Sequence, residues 1–200
     1  MKSRLPLVLT ISRLLFSFII IIIAFFPFHS APYVVIGLIY SGIITDILDG
    51  ILARNLQVST TFLRRLDTII DLFFYFSCLY FIYCFNPAPF RENFILIFTI
   101  LLLEFFMYSS SLLRFSKAPS PHAILSKLWG LYLVIEFTLL LLKVPGYHFT
   151  IALVVGILAH TDRLLIYLLL PSWDHDIPSF YHAWLIKQGH SIRRRKLFNG

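Results

Sequence analysis

Apolar residues run through this 200-residue chain in six long blocks separated by short polar stretches. The blocks cover residues 5–26, 33–53, 66–85, 92–113, 125–142 and 148–170. Each is close to the ~20 residues that cross a bilayer as a helix. Proline and glycine punctuate the gaps: Pro27 and Pro32, Pro87 and Pro89, Pro119 and Pro121, Pro145 with Gly146, then Pro171. The pattern predicts an all-α, polytopic membrane protein with six transmembrane helices. The first block reads as a span and not as a signal peptide, because no small-residue cleavage site follows it and another span does. Residues 1–171 are expected to form one membrane domain. Residues 172–200 are too polar to span; Phe180, Tyr181, Trp184 and Leu185 recur at roughly helical spacing, and a basic cluster follows. This predicts a cytoplasmic tail with a short interfacial helix in contact with anionic lipid, the alternative being a solvated tail.

Composition supports the same reading. Hydrophobic residues make up 58% of the chain, charged residues 14%, and the mean hydropathy is +0.83. A soluble domain is about 45–50% apolar and about 25% charged, and a chain this short has no core large enough to hide the excess. A soluble globular protein, a disordered chain and a nucleic-acid-binding module are therefore excluded. The net charge of +7 is explained by placement. Lys2 and Arg4, then Arg54, Arg64 and Arg65, then Arg114, Lys117 and Lys127, then Lys187, Arg193, Arg194, Arg195 and Lys196 all fall on one side of the predicted topology. The opposite loops hold only Arg91 and Lys143. The positive-inside rule puts both termini in the cytoplasm, and the compact chain without a transit-like leader points to a bacterial inner membrane. Cys78 and Cys84 suggest neither a disulfide framework nor a metal site.

Charge is most informative where it is least expected. Asp46 and Asp49 are three apart on the second span, and Asp67 and Asp71 are four apart on the third, so each pair shares a helix face. The two spans run in opposite directions, which sets all four carboxylates at a similar depth near the cytoplasmic surface. A charged side chain at a spanning helix's centre costs roughly 2.5–3.5 kcal/mol, less near the interface. One explanation is pairing with the nearby Arg54, Arg64 and Arg65. Divalent cations suit four converging carboxylates better, because Mg²⁺ and Mn²⁺ take hard oxygen ligands and two such ions balance the charge. Gly50 and Ala53 leave a shallow notch beside Asp49, either for close approach of a ligand or for ordinary helix packing. Arg54 is suited to fork onto a phosphate.

These residues resemble the integral-membrane CDP-alcohol phosphatidyltransferase family, whose pattern is D-x2-D-G-x2-A-R-x8-G-x3-D-x3-D. Asp46, Asp49, Gly50, Ala53, Arg54, Asp67 and Asp71 match it with every spacing kept. The run of Pro6, Leu9, Thr10 and Arg13 is a weaker match to the family's N-terminal stretch. Leu63 replaces the family glycine and Thr68 a frequent proline, which keeps an inactive lipid- or nucleotide-binding relative in view. The resemblance implies transfer of a phosphatidyl group from CDP-diacylglycerol to a small alcohol, with release of CMP. It implies Asp46, Asp49, Asp67 and Asp71 as ligands of two Mg²⁺ or Mn²⁺ ions, with Asp46, Asp49, Gly50, Ala53, Arg54 and Asp67 around the nucleotide. It also implies Asp71 as general base and a homodimer with its active site facing the cytoplasm. Arg114, Lys117 and Lys127 are candidates for binding a phosphorylated acceptor such as glycerol 3-phosphate, or they simply set topology.

Other intramembrane polar residues match no motif: Glu104, Glu136, His160, Asp162 and Arg163. Structural bridging is the expectation, with Glu136 and Arg163 as one candidate pair. His175, His182, Asp174 and Asp176 are expected to be a solvated cluster. A cation- or proton-coupled transporter is a third reading, but it predicts midplane carboxylates and repeated broken helices.

Overall fold

The computed structural model describes residues 5–56, 61–119, 123–175 and 177–190, without the side chains of residues 53–55, 61–65 and 68. Among these described residues eight helices form in chain order: α1 (Leu5–Phe25), α2 (Ala31–Asn55), α3 (Thr61–Phe85), α4 (Ala88–Glu92), α5 (Phe94–Phe115), α6 (Ile124–Leu141), α7 (His148–Leu169) and α8 (Phe180–Lys187). No strand occurs among the described residues. The fold is all-α, as expected, and the six long helices coincide with the six apolar blocks. Five of them, including Ala31–Leu52 of α2, are long and apolar enough to cross a membrane; in α3 the apolar stretch is the shorter Ile69–Phe85. The start of α3 mixes charged and apolar residues, and the helix begins at Thr61, ahead of the apolar block that opens at Leu66. The five-residue α4 precedes the fourth block, which forms the long α5.

Helix ends follow local chemistry. Ser116 closes α5 in the left-handed region (φ 54°), its N–H bonded to Leu112 O at 2.9 Å. Gly146, between α6 and α7, has a φ of +137° that an L side chain rarely adopts. Many large apolar side chains point outward, among them Leu15, Ile22, Ile95, Leu113 and Leu158. Without a bilayer this surface would aggregate; against lipid it is the solvated face.

The chain divides into two compact units. The first comprises Met1–Ala88 with Phe137–Pro145. Here α1 packs along both α2 and α3, which touch each other at few points. Ile20, Val35, Ile39, Phe74, Cys78 and Phe81 are buried in it. Asn86 Nδ2 donates to Leu140 O at 3.1 Å, and Lys143 Nζ lies 4.2 Å from the Phe85 ring centroid.

The second unit comprises Pro89–Glu136 with Gly146–Gly200. Here α7 packs against α5 and α8. Met107, Ala123, Ile166, Tyr167, Leu170, Ile177 and Ala183 form its buried cluster. The tail helix predicted from aromatic spacing is α8, with Ala183 buried and Phe180, Tyr181 and Trp184 exposed.

Candidate active site

The site begins on α1, whose buried residues Pro6, Thr10, Arg13, Ser17, Ile20 and Ile23 form one helical stripe. Three of them are polar. In lipid the usual pattern inverts, and polar side chains must turn toward other helices. Ser17 Oγ donates back to Arg13 O at 2.8 Å, and the Thr10 hydroxyl lies 3.1 Å from Pro6 O. Arg13 itself is only 1% exposed.

Four carboxylates from the two neighbouring helices meet that one guanidinium. Arg13 Nη1 donates to Asp46 Oδ1 at 2.7 Å and to Asp71 Oδ1. Its Nη2 donates to Asp67 Oδ1 at 2.6 Å and to Asp49 Oδ2. Thr10 Oγ1 adds a second donor to Asp49 Oδ2 at 3.1 Å. The predicted convergence of the two aspartate pairs therefore occurs, but the helix between them carries its own cation. Sequence proximity pointed to Arg54, Arg64 and Arg65, whose side chains lie outside the described residues. The partner is Arg13, 33 residues from Asp46 and 58 from Asp71. Its signal was present as polar Thr10, Arg13 and Ser17 on one face of an otherwise apolar helix.

One positive charge against four negative ones leaves three in surplus, so Arg13 alone does not neutralise the cluster. The surplus is graded by depth. The Asp49 side chain is 6% exposed, whereas Asp46 is 46% exposed. A shallow open cleft reaches the cluster beside Gly42, Asp46, Asp71, Phe74 and Tyr75. Carboxylate oxygens of Asp46, Asp49 and Asp67 lie within 4.8 Å of one another. All the donors are hard oxygens. Two ligands opposite each other on a Mg²⁺ ion are separated by about 4.2 Å, so small side-chain adjustments suffice and the residues fit a divalent cation. Asp71 stands outside this group of three and joins it through Arg13.

Among the remaining motif residues, Gly50 faces open space: a Cβ built there meets nothing within 4 Å. Ala53 and Arg54 belong to α2, but their side chains lie outside the described residues, as does that of Leu63 in α3.

The acceptor candidates belong to the second unit. Arg114 donates through Nη1 to Tyr167 O and to Leu168 O (2.7 Å), and through Nη2 to Leu170 O (3.0 Å). It thereby caps the carbonyl end of α7. Lys117 Nζ lies 4.7 Å from the Trp173 ring centroid. Lys127 is exposed on the first turn of α6.

The unassigned polar residues pair within the same unit. Arg163 bonds Glu104, with Nη2 to Oε1 at 3.1 Å and Nη1 to Oε2 at 3.0 Å. The suggested Glu136–Arg163 pair is thus corrected: fully buried Glu136 instead meets His148 Nδ1 at 2.7 Å. His160 Nδ1 lies 2.8 Å from Gly156 O. Asp162 Oδ1 accepts the Phe180 N–H at 2.8 Å and so caps α8. Among the tail residues, Asp174 lies 3.5 Å from His175 and His182 Nδ1 bonds Ser179 Oγ at 2.9 Å, while Asp176 lies outside the described residues.

Comparison with known proteins adds to this geometry. The chain matches the CDP-alcohol phosphatidyltransferase family over residues 3–169. It is similar to CDP-diacylglycerol--glycerol-3-phosphate 3-phosphatidyltransferase of Haemophilus influenzae, with 34% identity over 71 residues. That stretch is 36% of this chain and 38% of that relative's length. No solved structure matches. With a family match that runs from the start of α1 to the end of α7, through all four aspartates, the chain belongs to the CDP-alcohol phosphatidyltransferase family.

Proposed function

We propose that this protein transfers the phosphatidyl group of CDP-diacylglycerol to the hydroxyl of a small alcohol, with glycerol 3-phosphate the leading acceptor, and releases CMP. The observation that carries the reading is the convergence of Asp46, Asp49, Asp67 and Asp71 at one point within a family member. A new acceptor oxygen–phosphorus bond forms as the phosphorus–oxygen bond to CMP breaks. The Asp71 carboxylate receives the acceptor's hydroxyl proton. Gly50 and Ala53 leave room for the nucleotide along α2, and Arg54 contacts a phosphate. When bound, two Mg²⁺ or Mn²⁺ ions held by Asp46, Asp49, Asp67 and Asp71 supply charge neutralisation at the pyrophosphate. Arg114, Lys117 and Lys127 remain acceptor candidates for a phosphorylated alcohol. The donor's acyl chains lie in the bilayer while its nucleotide meets water, which suits a homodimer in a bacterial inner membrane with its sites facing the cytoplasm.

The test is CMP release by purified protein given labelled CDP-diacylglycerol, Mg²⁺ or Mn²⁺, and a panel of alcohols. Turnover with one acceptor, and loss of nucleotide binding in Asp67→Asn, are expected. No turnover with any alcohol, together with unchanged nucleotide binding in Asp67→Asn, refutes the reading. Leu63 favours a second one, an inactive relative, since a leucine adds bulk at the family's glycine position. Activity that is raised or first appears in Leu63→Gly would identify that residue as the handicap.

A further inference from the structure

We infer that Arg13 is a built-in counter-cation of the aspartate site: it holds the four carboxylates together in the cation-free protein and competes with divalent cations for the same oxygens. The inference rests on the reading of these aspartates as metal ligands and concerns how they are held and loaded. The guanidinium gives one N–H to each of Asp46, Asp49, Asp67 and Asp71, so all four donors of its two terminal nitrogens are used. Its Nε–H finds no acceptor among the described residues. Arginine is therefore placed for the carboxylates and not for a helix carbonyl or for lipid.

The burial pattern makes this more than an ion pair. Arg13 is enclosed at 1% exposure, and nothing in its own stripe on α1 carries negative charge. Remove it, and four carboxylates on α2 and α3 face each other with the Thr10 hydroxyl as the remaining side-chain donor recorded among the described residues. Like charges a few ångströms apart in a poorly solvated site repel strongly. Because α2 and α3 touch each other little, the contacts of α1 with each of them hold the site in register. Arg13 is thus a positioning residue.

The same geometry sets up competition. The oxygens that receive the guanidinium include one each from Asp46, Asp49 and Asp67, the three residues whose oxygens cluster within 4.8 Å. A divalent cation and a guanidinium cannot both sit at bonding distance from the same lone pairs, and like charges at such separations oppose each other. Loading is therefore an exchange. Partly exposed Asp46 and the cleft beside it provide the approach, while enclosed Asp49 holds the far side. The consequence is a cation site that stays folded when empty and binds more weakly than its four carboxylates alone would.

The experiment measures Mn²⁺ binding by electron paramagnetic resonance on full-length protein in nanodiscs, alongside melting in EDTA and in Mn²⁺. Arg13→Gln is expected to bind Mn²⁺ at least about tenfold more tightly than wild type. It should melt below wild type in EDTA and gain more from added Mn²⁺. Arg13→Lys, which keeps the charge but not the fork, should lie between them. If Arg13→Gln does not fold, tighter Mn²⁺ binding by Arg13→Lys carries the test. Unchanged or weaker Mn²⁺ binding in the folded variants overturns the inference, because a purely structural arginine would loosen the ligands. Asp67→Asn with Arg13 intact separates the two claims: Mn²⁺ binding unaffected there would sink the metal-ligand reading itself.

Discussion

Replacing Gly42 by alanine sets two terms against each other on α2. In a helix interior alanine is favoured over glycine by about 0.8–1.0 kcal/mol. A Cβ at Gly42, however, would collide with the Phe74 ring of α3, and the three nearest atoms all belong to that ring. Phe74 is only 2% exposed, so displacing its ring disturbs its buried packing. Overpacking of this kind costs about 1–3 kcal/mol. The clash therefore equals or exceeds the propensity gain, and Gly42→Ala should be net destabilising by up to about 2 kcal/mol. Gly37 on the same helix has nothing within 4 Å of a built Cβ, so Gly37→Ala isolates the favourable term. Melted side by side in nanodiscs, Gly42→Ala should fall below Gly37→Ala by roughly 2–10 °C for a chain of this size. Adding Phe74→Leu should recover part of the loss, because the smaller side chain admits the methyl. Phe74 and Gly42 line the cleft with Asp46 and Asp71, so CMP release should also drop in Gly42→Ala and not in Gly37→Ala. A Gly42→Ala protein that melts at or above Gly37→Ala refutes the packing argument.

Further outcomes follow from the same contacts. Gly50→Ala should keep or raise the melting temperature, since its Cβ meets open space, while weakening nucleotide binding if the notch admits CDP. Arg114→Ala should destabilise by about 1 kcal/mol, below the ~1.5–3 kcal/mol of buried charged hydrogen bonds because the residue is exposed. A raised KM for the acceptor at unchanged melting temperature would instead make Arg114 an acceptor ligand. Lys127→Ala should raise KM for glycerol 3-phosphate about tenfold or more and spare uncharged alcohols, as expected for one lost charge-assisted contact. EDTA should abolish CMP release, with recovery by Mg²⁺ or Mn²⁺ but not by Zn²⁺, which favours nitrogen and sulfur ligands; EDTA-resistant turnover would refute metal dependence.

The helices were legible because each apolar block had to be long enough to span, and most boundaries shifted by only a residue or two. The start of α3 was harder. The apolar run begins at Leu66, while the helix extends back to Thr61 through Arg64 and Arg65. The four aspartates were legible because carboxylates are costly in apolar surroundings and because their spacing put each pair on one face. Their partner is not legible from sequence proximity, because Arg13 reaches them only through the packing of α1 against α2 and α3. Helix rotation was equally hidden in the second unit. Glu136 and Arg163 were compatible in depth, yet α5 and not α6 presents the carboxylate, Glu104, that Arg163 meets. The engagement of Arg114 depends on where α7 ends, which no local pattern in α5 encodes.

The central claim is that the carboxylates gathered around Arg13 carry out phosphatidyl transfer. Its most direct test compares wild type with Asp71→Asn in nanodiscs containing labelled CDP-diacylglycerol, with glycerol 3-phosphate and Mn²⁺ added, following CMP release and CDP-diacylglycerol binding in parallel. Wild type should release one CMP per phospholipid formed, and Asp71→Asn should bind the donor yet release no CMP above background. Wild-type turnover by Asp71→Asn would contradict the account.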